Sequence, residues 1–145
     1  EYIQFLIHFH VDYDYFECHE ILEEYWKTKP RRKRDNYLVG LMQIAVSLYH
    51  HSRSNWNGPE KLMKGAITIL EKNSAHVLHL GINEAQLLFL LKDKFQSIQK
   101  KEGFKTLFLP ISGIALEKQC IEICEKQKLP WKDVNAISNE YIVHK

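Results

Sequence analysis

Residues 36–53, NYLVGLMQIAVSLYHHSR, leave a chain of this size little choice of fold. On a helix, Leu38, Leu41, Met42, Ile44, Ala45, Val46, Leu48 and Tyr49 cover most of the circumference. A helix that is apolar nearly all round has to be enclosed by other elements. The flanking segments carry helical periodicity too, and Gly and Pro are scarce, at 6 and 4 of 145 residues. The expectation is an all-α fold, a single-domain helical bundle over residues 1–145 with about five to six helices. With 45% apolar residues the chain can build a useful core.

The elements follow from their punctuation. A first helix is expected over residues 2–10, and Asp12 or Asp14 can cap a second that runs to about Lys27. TKPRRKRDN breaks the pattern, and its run of charges from Arg31 to Asp35 reads as a solvated connection. After the central helix, Pro59 suits the first turn of a helix reaching about Asn73. Asn83 with Gln86 has the form of a capping box for a helix to about Lys101, which Gly103 closes. KTLFLP reads as short and extended, and a last helix is expected from about Gly113 to Lys128. Residues from about 131 to 145 are expected as a C-terminal tail that the pattern assigns to no element.

Composition excludes several classes. The 20 basic and 18 acidic residues balance too closely for a nucleic-acid binder. No apolar run has membrane-spanning length. The start, EYIQFLIHFH, does not read as a secretory signal. The three cysteines, Cys18, Cys120 and Cys124, fit a reducing compartment better than a disulfide framework, and they are expected as buried apolar residues. A cytoplasmic protein with no cofactor and no bound metal is the expectation.

The polar residues that attract notice lie on the second and third helices. In YFECHEILEEYW, a wheel from Tyr15 puts His19 and Glu23 between Trp26 and Phe16, at about 40° and 80°, so both are expected to point inward. Glu20 stands at the margin, and Glu17 and Glu24 face water. On the central helix Arg53 takes an apolar position, with His50 and Gln43 at the edge of the same sector. Buried charges are paired or neutralised. Arg53 is therefore expected to pair with Glu20 or Glu23, with His50 or Gln43 completing the hydrogen bonds.

YFECHEILEEYW followed by GLMQIAVSLYHHSRSNWNG resembles the bacterial family called domain of unknown function 309. The residues that carry the resemblance are Tyr15, Phe16, His19, Glu20, Glu23 and Trp26, then Gly40, Gln43, Ala45, His50 and Asn55, with Gly58, Leu62, Ala66 and Leu70 continuing more loosely. It covers about residues 10–70. Val11 and Tyr13 stand where many members have Asn and Gly. The resemblance implies an all-helical intracellular protein and no known activity.

Three functions can be built on the cluster His19, Glu20, Glu23, Gln43, His50, Arg53 and Asn55. A metal could use His19 and Glu23 at i, i+4 with His50 and Glu20. HEILE lacks the second His of HExxH, however, and Arg53 would repel a cation. Acid–base catalysis could use Glu23 and His19, with Arg53 holding an anionic substrate. No nucleophile is evident, since Ser47 is expected on the outer face and Cys18 has no activating base. The preferred reading is a structural network inside a protein-interaction module. A protein partner or a second copy would bind elsewhere on the surface, with Trp56 and Trp131 as possible anchors or as lids over the chain's own core.

Overall fold

The computed structural model describes residues 1–132. Among these the fold is all-α, with seven α-helices and no strand. Helix α1 (Tyr2–Ile7) runs into a π-helical turn, His8–Asp12, and is followed by α2 (Tyr15–Lys27) and α3 (Asn36–Ser52). Then come α4 (Pro59–Glu71), α5 (Ser74–His79), α6 (Glu84–Gln99) and α7 (Ile114–Lys126). The count exceeds the expected five to six because α5 forms where the sequence shows only a break. It is six residues long and buries only Val77, too short for periodicity to reveal. Most of the expected tail, residues 133–145, lies outside the described residues.

Helix α3 is the core, as its composition demands. Leu38, Leu41, Ile44, Ala45 and Leu48 are all buried, with α2 on one side and α4 on the other. Each of these leucine and isoleucine side chains stabilises by roughly 1.5–3 kcal/mol when taken from water. Ser47, expected on the outer face, is buried instead. Its hydroxyl donates to the Pro59 carbonyl at 2.7 Å and ties α3 to the first turn of α4. Because Ser47 lies on the side of α3 that meets α4, its hydroxyl needs an internal acceptor.

The caps are those the sequence signals. Asp14 accepts from the Glu17 N–H at 3.1 Å at the start of α2, and Asn83 accepts from the Gln86 N–H at 3.1 Å at the start of α6. The capping box at Asn83 is only half made, since the Asn83 N–H goes to the Pro110 carbonyl at 2.8 Å. That bond belongs to an extended strap, residues 102–113, which crosses from α6 to α7. It buries Phe104, Leu107 and Leu109 and pairs at Ile111 with Ile82 in a single antiparallel bridge. Gly81 allows the turn before the bridge: its φ is +76°, and a Cβ there would stand 2.9 Å from Leu116.

The basic run after α2 forms one 3₁₀ turn, Arg31–Lys33, with all three side chains exposed. The three cysteines are buried and unpaired, and burial pushes the Cys120 thiol up to about 11. No helix among the described residues is long and apolar enough to cross a membrane.

Candidate functional site

Helices α2 and α3 are antiparallel neighbours: the Phe16 ring, near the start of α2, lies 5.8 Å from the Tyr49 ring, near the end of α3. Tyr15, Cys18 and Leu22 of α2 point into the core, as the wheel requires. Phe16 does not, and it is 55% exposed. This decides the fate of its neighbours. The inward arc ends at the half-buried Trp26, so His19 and Glu23 fall on the rim, with side chains 26% and 31% exposed. A wheel cannot tell a core aromatic from a surface one, and the expectation of buried positions rested on Phe16 being inside.

On that rim His19 stands between two carboxylates. Its Nδ1 is 3.2 Å from Glu20 Oε1, and its Nε2 is 3.1 Å from Glu23 Oε2. When the ring is protonated, both N–H groups donate. Glu23 also accepts from Lys27 at 2.7 Å, and this ammonium holds the Glu23 carboxyl below its usual range. One atom each from His19, Glu20 and Glu23 lie within 4.8 Å of one another, so these three could hold a metal between them.

The α3 half of the expected cluster goes elsewhere. Arg53 is exposed and pairs with neither Glu20 nor Glu23. Its guanidinium lies over the Tyr49 ring, 4.6 Å from the centroid. The helix ends at Ser52, and Arg53 has already left helical geometry, with φ −99° and ψ 9°. A wheel extended one residue too far put it in the wrong sector. His50 and Asn55 are joined, but locally: the Asn55 amide donates to His50 Nδ1 at 3.0 Å, and the Asn55 N–H donates to the His50 carbonyl at 2.9 Å. They close the end of α3. Gln43 turns toward α4, where its buried Oε1 lies 2.8 Å from where a Cβ on Gly65 would stand. The cluster is therefore two groups, an arginine lying over Tyr49 and a separate glutamine, not one buried network. Among the described residues no hydrogen bond or ion pair joins His19 or Glu23 to α3.

The buried polar residues are others. His10 is fully enclosed: its Nδ1–H donates to the Leu6 carbonyl at 2.8 Å, and its Nε2 accepts from the Leu109 N–H at 2.9 Å. Both contacts fit the neutral ring, and burial pulls its pKa down to about 3. Trp131 covers it at 4.9 Å and is thus a lid over the chain's own core. His51 donates from Nε2 to the Glu102 carbonyl at 2.8 Å, with Trp56 against its ring at 5.3 Å. Lys94 is 7% exposed and donates to the Lys105 carbonyl. A sequence signal existed for all three. His51 follows Ile44 and Leu48, Lys94 sits among Leu87, Leu91 and Ile98, and His10 shares the face of Leu6. Each is a polar residue in an apolar stripe.

Residues 2–62 match the family described as domain of unknown function (DUF309). Over 144 residues the chain is 43% identical to the uncharacterized protein YpuF of Bacillus subtilis (strain 168), covering 99% of this chain and 83% of that protein. No solved structure matches it.

Proposed function

The chain belongs to the domain of unknown function 309 family, and from that premise we propose that it is a single-domain cytoplasmic interaction module that binds protein through the exposed face of α2 and α3. The carrying observation is the tilted contact of the Phe16 and Tyr49 rings, with Arg53 over the same tyrosine. Phe16 is 55% exposed, so it leaves about half of the roughly 1.5–3 kcal/mol that full burial of such a ring supplies unrealised. Aromatic residues and arginine are the types that dominate binding energy at protein interfaces, and charged groups form their rim. Here that rim is His19, Glu20, Glu23 and Lys27.

Both signs of charge flank one aromatic centre, which suits a second copy as partner. Because α2 and α3 are antiparallel, a two-fold axis near the Phe16–Tyr49 pair would bring Arg53 of one copy toward Glu20 of the other. Sedimentation of the full chain tests this. The mass should rise toward a dimer with concentration, and Phe16→Ser should hold it at the monomer with unchanged helicity. Mixing Arg53→Glu with Glu20→Arg should restore association. A wild-type chain that stays monomeric at the highest concentration reached would remove the self-association reading.

A further inference from the structure

The ring of Phe104, at the head of the strap, has an unusual set of neighbours. His51 meets it edge-on at 5.3 Å, Tyr15 at 6.0 Å, and the Lys94 ammonium lies 4.9 Å from its centroid. Four buried side-chain atoms among the described residues have no hydrogen-bond partner: the Tyr15 hydroxyl, His51 Nδ1, Thr106 Oγ1 and Gln43 Oε1. Two of these belong to residues against Phe104, and a third to Thr106, two positions along the strap.

Lys94 sharpens the imbalance. An ammonium carries three N–H donors. One is taken by the Lys105 carbonyl, and the ring face meets part of the charge. Burial pulls the group down to about 8. A buried charge with unused donors is costly for a part that serves only to hold the fold. Lys94 and Thr106 also line a groove of about 770 Å³ between α6 and the strap. Lys100 and Lys105 stand along it, with Asp93 and Glu102. Three ammonium groups against two carboxylates leave a single positive charge in excess.

We propose that this groove binds a small organic oxyanion of low charge, whose carboxylate or phosphate oxygens accept from Lys94 and Thr106. The exposed Lys100 and Lys105 attract it, and Asp93 and Glu102 disfavour highly charged species. The site is separate from the α2–α3 face and does not depend on it.

Thermal melts of the full chain test the proposal, with acetate, glycolate and inorganic phosphate as probes and chloride as the control at matched ionic strength. At least one oxyanion should raise the melting temperature saturably, while chloride should not. The probe that acts separates a carboxylate ligand from a phosphate. Lys94→Met and Thr106→Val should abolish the shift, and Lys92→Met, outside the groove, should keep it. Without any probe, Thr106→Val should melt at or above wild type, since it removes an unpaired buried hydroxyl, whereas Lys94→Met also frees the Lys105 carbonyl and gives up the Phe104 ring contact. No saturable shift with any probe, or a shift that survives Lys94→Met, overturns the proposal. If Lys94→Met fails to fold, Thr106→Val decides alone: loss of the shift supports the site, and retention overturns it.

Discussion

The Leu109 backbone N–H donates to His10 Nε2 at 2.9 Å across ninety-nine positions of sequence. This bond pins the strap to the π-helical turn, and the opposite nitrogen of the same ring is held by the Leu6 carbonyl. His10→Leu would keep the volume and leave the Leu109 N–H without its acceptor in a dry site. An unpaired buried group costs about 1–3 kcal/mol, so urea denaturation should show a loss of at least that size. His10→Gln, which can still donate and accept, should lose less.

The same ring sets an acid limit. Its pKa falls from an ordinary 6.5 to about 3 on folding, so between these values the unfolded chain binds the extra proton. His10 therefore adds no penalty above pH 6.5, and stability should drop as pH falls from 6.5 toward 3. The slope from this one group approaches about 1.4 kcal/mol per pH unit. Unfolding free energies measured at steps down that range should show the decline. A variant without the ring, such as His10→Gln, should show it less.

Arg53→Met distinguishes the observed geometry from the buried pair that the wheel implied. Breaking a buried ion pair costs on the order of 3–5 kcal/mol. An exposed cation over an aromatic ring contributes only about 0.5–1 kcal/mol. The melting temperature of Arg53→Met should therefore stay close to wild type. A large fall would mean that Arg53 has a buried partner after all.

Two glycines at the α3–α4 contact should respond oppositely to alanine. Each substitution gains up to about 1 kcal/mol of helix propensity. At Gly40 the new methyl would lie 3.0 Å from Leu70 Cδ2 and 3.1 Å from its Cγ, and Leu70 is fully enclosed. Overpacking of that kind costs about 1–3 kcal/mol, so Gly40→Ala should destabilise. At Gly65 the obstacle is Gln43 Oε1 at 2.8 Å, the free end of a flexible side chain. It can swing aside, and Gly65→Ala should be neutral or slightly stabilising by chemical denaturation.

Metal binding at the α2 rim should be weak. Both nitrogens of His19 already face carboxylates, and Glu23 is shared with Lys27. A cation would have to displace these contacts at a largely open surface. Protein purified without chelators should carry well under one equivalent of Zn, Mn or Fe by elemental analysis. EDTA should leave its melting temperature unchanged. A stoichiometric metal that His19→Ala removes would reverse this.

The class of fold and most of its joints are legible in the order of the residues. The all-round apolar segment of α3 could only be a central helix. Asp14, Pro59 and Asn83 mark helix starts through local hydrogen bonding and fixed φ, which no distant contact has to supply. Tertiary structure decided which polar groups are inside. Whether Phe16 faces core or water depends on what packs beside α2, and that one choice moved His19 and Glu23 to the rim. His10 and Lys94 are tolerated in apolar stripes because the strap, far away in sequence, brings backbone partners to them: the Leu109 N–H and the Lys105 carbonyl. Periodicity reports one helix at a time, whereas the pairing of a buried polar group is a property of two segments meeting.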